Sequence, residues 1–408
     1  MSAALPRLLA GIRSAERPVA LDEHLARYGS LREAVAGQDL IGRVEASGLQ
    51  GRGGAGFPTG AKLRAVASRR GRPVVVVNCA EGEPASGKDK VLLRCVPHLV
   101  LDGAAAAAGA VGAREAIVAV AEGADAEAAA AADAIEARRR RRLDGRVRLR
   151  LSTVPDRFVA GEETALVSVL NGGPAKPTFT PPRPFERGVG GAPTLVQNAE
   201  TVAHLAQIAR FGPDWFRRVG TEAEPGSALV TLSGAVARPG VYEVALGSPF
   251  SDLLREAGGS GDVQAYLIGG YFGAWVGAEA ASGLRLCEAD LAGVGGGLGA
   301  RAIVALPGRA CGLVETARIA RYLADESAGQ CGPCVHGLGA IADAFGRLAA
   351  ADPTDRRERL ARWVAEVPGR GACRHPDGAA RFAASALRVF AREADLHLGH
   401  GRCSRSAA

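Results

Sequence analysis

Hydrophobic positions recur along this chain with two periods, and the change from one to the other marks out its elements. Ile41, Val44 and Leu49 follow a helical spacing. Residues 73–78, Pro-Val-Val-Val-Val-Asn, form a β-branched run of the kind found in buried parallel strands. A predicted helix over 98–111, a strand over 116–121, an alanine-rich helix over 125–139 and a strand over 146–152 follow. That alternation predicts βαβ units and a parallel sheet. Residues 172–193 hold Pro174, Pro177, Pro181, Pro182 and Pro184, the composition of an extended loop that lines a site, and a helix is predicted over 200–211. Near Pro225 the pattern shortens to strands at 228–236 and 240–244, a helix at 250–257 and a strand at 266–268. From Cys311 onward the spacing of Leu313, Ala317, Ile319, Ala320 and Leu323 is helical, continuing through 338–348, 357–364 and 379–391.

Composition narrows the class. A chain of 408 residues with 47% apolar content predicts two or three domains with sizeable cores. It has no apolar run long enough to span a bilayer, and its first twenty residues carry Arg7, Arg13, Glu16 and Arg17 without a signal-peptide core. The expected location is therefore cytoplasmic, with any attachment to a membrane made through partners. Eight cysteines in a chain of this length fit a reducing compartment rather than a disulfide framework. The net charge of +7 permits an acidic partner, but the arginine richness behind it gives no reason to infer nucleic acid. The run of arginines at 138–142 reads as a solvated helix end complementing the dipole, with docking of an acidic electron carrier as the alternative. Only four of the fifty basic residues are lysine, Lys62, Lys88, Lys90 and Lys176. A chain that otherwise uses arginine keeps a compact ammonium where its shape matters.

The stretch GRGGAGFPTGAK, residues 51–62, concentrates backbone freedom beside a cation. Glycines permit positive φ and close approach to a ligand, Pro58 suits the start of a helix, and Lys62 lies one turn inside it. Gly51, Gly53 and Gly56 also satisfy G-x-G-x-x-G, but a helix rather than a strand is predicted to precede them, so this is not the ordinary dinucleotide turn. A mononucleotide phosphate is the expected ligand. Glu162 and Glu163 open a further predicted helix, where free amides favour anionic groups.

Together with NCAEGEPASGKDK (78–90), GEETAL (161–166), PTLVQNAET (193–201), SGAVARPG (233–240), ESAGQCGPC (326–334) and Cys373, this loop resembles the NADH-oxidising flavoprotein (F-subunit-like) family of respiratory complex I. The segments occur in the family's order over nearly the whole chain. The resemblance implies an α/β fold with a Rossmann-like FMN-binding domain (1–225), a small β-grasp or SLBB domain (226–310), a C-terminal helical iron–sulfur domain (311–400) and a tail (401–408). It implies FMN bound by Gly51, Arg52, Gly53, Gly54, Gly56, Lys62, Asn78, Glu81, Gly161, Glu162, Glu163, Asn198 and Thr201, with Phe57 and Glu83 meeting NAD(H) as substrate. A flavin needs cations and amides for its phosphate and an aromatic face for the nicotinamide.

The resemblance also implies a [4Fe-4S]-like cluster on Cys331, Cys334 and Cys373, but a fourth cysteine is missing: Ala328 holds its position. Taken alone, the Cys-x-x-Cys could be a redox pair, or two buried structural cysteines beside a lone third; the surrounding match favours a cluster site over either. With one thiolate absent the expectation is a labile or three-iron site, unless His336, His375 or Cys311 completes it. Ala80, Ala65, Phe158, Thr180 and Arg183 replace other family residues, so flavin binding is better supported than nicotinamide binding, and Phe179 and Phe185 offer replacement aromatic surface. The expected function is transfer of electrons from reduced nicotinamide through FMN to an iron–sulfur cluster and then to an electron-accepting iron–sulfur protein or complex I-like subunits. The alternative is a scaffold that keeps the fold and no longer oxidises NADH.

Overall fold

The computed structural model describes residues 5–12, 17–31, 39–352, 357–401 and 403. Arg13, Glu16 and most of the tail assigned to 401–408 lie outside the described residues. The chain divides into two units, one of residues 1–82, 87–229 and 243–247, the other of 83–86, 230–242 and 248–408.

In the first unit β1 (Val74–Cys79), β2 (Glu115–Ala121), β3 (Arg148–Val154) and β4 (Thr194–Asn198) form a parallel sheet in the order β3-β2-β1-β4. The first three match the expected strands closely, while β4 falls in a stretch that the pattern marks only as a motif. The chain builds outward from β1 to β3 and then returns to the other side of β1. The strand order therefore reverses between β1 and β4, the place where a ligand crevice opens at the carboxyl ends. One face is packed by Val76, Ile117, Leu166 and Val196. Fully burying a branched side chain of this kind contributes about 1.5–3 kcal/mol. The helices Pro97–Val111 and Ala199–Phe211 pack so closely that a Cβ on Gly103 would fall 1.8 Å from the Val202 carbonyl oxygen.

Asp102, in the middle of that first helix, is buried and accepts from Arg138 at 2.8 Å and Arg210 at 2.5 Å, with His24 Nε2 at 2.6 Å. Arg138 also reaches Asp144. The arginine run is thus not uniformly solvated: Arg138 is buried on these carboxylates, and Arg139 to Arg142 are exposed. Burial acts against the Asp102 charge, but His24, Arg138 and Arg210 outweigh it and hold the carboxyl below the usual range. A folded value below the unfolded one, about 3.9, means stability present above that pH and lost as pH falls through the folded value. Asp102→Asn should therefore cost about 3–5 kcal/mol at neutral pH by leaving buried guanidinium charge unpaired. Denaturant midpoints measured against pH should show that loss shrinking on acidification; a constant difference would assign Asp102 a packing role only.

Apart from residues 227–229 and 243–245, which group with the first unit, the second unit holds a mixed sheet in the order β6-β5-β9-β7-β8, from β5 (Ser227–Gly234), β6 (Gly240–Ala245), β7 (Val263–Ile268), β8 (Ala274–Gly277) and β9 (Ala302–Pro307). β5 runs parallel to β9, and β7 antiparallel to both β8 and β9. Helices Gly312–Asp325, Leu338–Ala349, Arg357–Glu366 and His375–Val389 follow as the helical spacing predicts, and a further helix, Ala391–His400, lies beyond the last predicted one. Among the described residues no single helix is long and apolar enough to cross a membrane.

Candidate flavin and iron–sulfur sites

The glycine loop connects two helices, Leu40–Ser47 and Thr59–Ala67. Its base is closed by hydrogen bonds from Gly51 N–H to Phe57 O (2.8 Å) and from Thr59 N–H to Leu49 O (2.9 Å). Gly54 and Gly56 take φ of 109° and 64°, which side-chain-bearing residues adopt only under strain. The two helices cross so tightly that a Cβ on Gly60 would lie 2.4 Å from Glu45 Cγ. Phe57, at the closed base of the loop, is left 57% exposed.

The loop rests on the carboxyl end of the sheet. Arg52 N–H donates to Thr201 Oγ1 at 2.8 Å, and a Cβ on Gly53 would come within 3.3 Å of the Asn198 Cβ. The Arg52 guanidinium is buried and donates to Pro225 O, which anchors the loop. The register pairs Asn78 with Asn198 across the reversal point. Asn78 Nδ2 donates to Gly161 O at 2.8 Å, which ties β1 to the segment before the helix Glu163–Leu170. Glu162 caps that helix, accepting from Thr164 N–H and Ala165 N–H at 2.9 and 3.0 Å. Lys62 and Glu163, a hundred residues apart in sequence, meet at 2.7 Å with both side chains partly exposed.

Beneath Asn198 lies a buried ionic group whose members the sequence motifs contain without revealing their pairing. Lys88 Nζ is 2.8 Å from Asp89 Oδ1 and 3.1 Å from Glu200 Oε2. Asn198 Nδ2 donates to Asp89 Oδ2 at 2.5 Å, and its Oδ1 caps the next helix through Glu200 N–H. Burial raises Asp89 to about 6 against the opposing pull of Lys88. Glu81 caps the helix Lys88–Cys95 by accepting from Asp89 N–H and Lys90 N–H.

Other candidates sit elsewhere. Glu83 groups with the second unit, where its carboxylate accepts from Tyr271 N–H at 2.9 Å. Phe185 lies under the Arg69 guanidinium and Phe179 is exposed.

In the second unit Cys334 lies in a wide helical turn, Pro333–Gly337, that leads into Leu338–Ala349, and Cys373 precedes His375–Val389. Cys331, Cys334 and Cys373 act on one another: burial first, then Cys331 and Cys373, push the Cys334 thiol up to about 11. Partial burial also works against Cys331, but backbone hydrogen bonds with Ala372 and Cys334 reverse the sign and lower it. Ala328 is buried, and its neighbour Gly329 makes a backbone hydrogen bond with Cys334. Of the suggested replacements, His336 is exposed, His375 Nε2 donates to Leu323 O at 2.7 Å, and Cys311 belongs to a different group with His397 and Cys403.

Residues 44–207 match the Nuo51 FMN-binding domain family, 229–267 the SLBB domain, and 315–397 the NADH-ubiquinone oxidoreductase-F iron–sulfur binding region. An NADH-quinone oxidoreductase F subunit of Rhizobium meliloti is 32% identical over 92% of this chain and 93% of its own length. The chain belongs to the family of NADH-quinone oxidoreductase F subunits. The F subunit of Streptomyces coelicolor is also 32% identical, over 92% of this chain and 87% of its own. An NAD+-reducing [NiFe]-hydrogenase, solved in its air-oxidized state, superposes with a TM-score of 0.84 at 29% identity, covering 97% of this chain and 67% of that one. The protein is thus an F-type flavoprotein with FMN-binding, SLBB and iron–sulfur regions, of a family that passes electrons from NADH through FMN to iron–sulfur centres.

The residues present fit these groups. An open glycine loop, a cation one helical turn behind it and two asparagines at a strand-order reversal are the donors that a flavin phosphate and ring require. Three mutually interacting thiols supplied with backbone hydrogen bonds are a cluster's donor set, short of one.

Proposed function

We propose that the first unit binds FMN over the glycine loop, that the chain there takes a hydride from reduced nicotinamide, and that electrons leave through an iron–sulfur site on Cys331, Cys334 and Cys373. The observation that carries this reading is the pairing of Asn78 with Asn198 at the strand-order reversal, directly under Gly53 and beside the segment tied to Lys62 through Glu163. When bound, FMN supplies the chemistry that accepts two electrons as hydride and releases them singly. Lys62 would provide positive charge for the phosphate, and free amides of the glycine loop would donate to it. Asn78 and Glu162 hold the strand end and the 163–170 helix in fixed relation. Phe57 offers an exposed ring on which a nicotinamide stacks, and Glu83 contributes on the nicotinamide side. The domain limits follow the same reading, with flavin chemistry in 1–225, the SLBB domain in 226–310 and the cluster domain in 311–400. The acceptor is an iron–sulfur protein or neighbouring subunit, and the location is cytoplasmic, peripheral to any membrane through such partners.

Flavin absorbance recorded anaerobically before and after NADH tests the reading. Bleaching is expected. Flavin that binds without bleaching would select the scaffold alternative, and protein that binds no FMN after reconstitution would end the flavin reading and leave only the scaffold. Lys62→Ala should weaken FMN binding roughly ten- to hundredfold, the worth of one charge-assisted hydrogen bond of about 1.5–3 kcal/mol, as read by a binding isotherm. Unchanged affinity would place the phosphate elsewhere.

A further inference from the structure

One group of metal-ligating side chains belongs to neither the flavin region nor the cluster cysteines. Cys311, His397 and Cys403 are all buried, and their ligand atoms lie within 4.8 Å of one another. Cys311 Sγ is 3.5 Å from His397 Nε2 and 3.6 Å from Glu393 Oε2. With metal–sulfur bonds of about 2.3 Å and metal–nitrogen or metal–oxygen bonds of about 2.0–2.2 Å, the edges of a zinc tetrahedron come out near 3.5–3.6 Å. Both separations from Cys311 have that length, and Glu393 stands beside Cys311, outside the three atoms that lie within 4.8 Å of one another. Ligand atoms this close enclose a single ion, and two sulfurs with one imidazole are the donors of structural zinc.

We propose that Cys311, His397 and Cys403 bind a structural zinc ion, whose fourth position Glu393 reaches by a shift of its side chain from where it stands beside Cys311. Two of the three ligands are held by helices, and Cys403 follows the last one. Cys311 caps the helix Gly312–Asp325, while Glu393 and His397 lie one turn apart on the last helix, Ala391–His400. Gly312 N–H donates to Glu393 Oε2 at 2.8 Å, which orients the carboxylate toward the cysteine beside it. The ion joins the beginning of the helical region to its end, closing a long loop of chain. Because an unfolded chain lacks the preformed site, metal affinity becomes folding stability. The site is distinct in residues from Cys331, Cys334 and Cys373, so zinc and iron contents should vary independently.

The full chain, purified under reducing conditions, should contain about one zinc per chain by elemental analysis, the occupancy of a closed structural site. Cys403→Ser and His397→Ala should each lose it and keep their iron, whereas Cys331→Ala should lose iron and keep zinc. Cobalt added to the metal-free reduced chain should give thiolate charge-transfer absorption and the intense visible bands of a tetrahedral ion, both absent in Cys403→Ser. Zinc or a chelator should raise or lower the melting temperature of the wild type and leave Cys403→Ser unmoved. If Cys311→Ser fails to fold, the other two variants still decide. A reduced chain that binds neither zinc nor cobalt, a Cys311–Cys403 disulfide in freshly isolated protein, or zinc retained in Cys403→Ser and His397→Ala would overturn the proposal.

Discussion

Lys88→Met is expected to destabilise the first unit by about 3–5 kcal/mol, the cost of leaving buried carboxylates without their counter-charge. Set against a total stability of about 5–15 kcal/mol, this is enough to bring the unit near its unfolding threshold. The lysine side chain is 3% exposed, so water does not screen the loss. Asp89 and Glu200 both point at its ammonium, and each is already committed elsewhere, Asp89 to the Asn198 amide and Glu200 to Leu229 N–H. The pH dependence identifies the mechanism. Asp89 is already raised to about 6 by burial, with Lys88 pulling the other way, and removing the ammonium raises it further. A carboxyl with a folded value above its unfolded one favours the folded state at low pH and disfavours it as pH rises through the folded value. The variant should therefore lie closer to wild type near pH 5 than near pH 8 in urea midpoint, and Lys88→Met/Asp89→Asn should recover part of the loss at the higher pH. A pH-independent loss would mean that the methionine simply packs badly. The effect reaches the flavin region because Asn198 is the residue beneath Gly53, so FMN affinity should fall even where the variant remains folded.

That network shows what the sequence discloses and what it withholds. The scarcity of lysine points to Lys62 and Lys88, and the fold gives both of them carboxylate partners. What spacing does not reveal is the partner: Glu200 lies more than a hundred residues from Lys88, and the two meet only because β4 returns beside β1. The same reason hides Arg138, which reads like its four neighbours until Asp102 comes next to it. β1, β2 and β3 are legible because a fully buried parallel strand is an apolar run bounded by breaks. β8 has only four residues, and β9 follows a glycine-rich stretch, so neither announces itself. Glu81, Glu162 and Asn198 stand out as ligand-binding residues by family pattern, and each of them also caps a helix. Motif residues around a phosphate site hold helix ends in place whether or not they touch the ligand. The group of Cys311, His397 and Cys403 has no readable spacing at all, since its members come from opposite ends of the helical region.

Ala328→Cys is expected to convert an incomplete cluster site into a complete one. Position 328 is in place for this: Ala328 is buried, and the next residue, Gly329, makes a backbone hydrogen bond with Cys334. Adding one sulfur to a buried methyl position costs little if a metal site receives it, since overpacking penalties of about 1–3 kcal/mol apply where an added atom has nowhere to go. With a cluster bound on Cys331, Cys334 and Cys373, one iron of the wild type would lack a protein thiolate. His375 presents Nε2 to the Leu323 carbonyl, and Cys311 sits with other partners, so neither is arranged as a substitute. After anaerobic reconstitution and brief exposure to air, the wild type should keep about three irons per chain and the variant about four, the two cluster forms that differ by one site. Mössbauer and EPR spectra distinguish them, and the variant's reduction potential should move within the broad range open to such centres, about −700 to +450 mV. A wild type that keeps a stable four-iron centre in air would show that a ligand other than these fills the fourth position. If neither protein binds iron, Cys331, Cys334 and Cys373 are structural thiols, and electrons leave the flavin by another path.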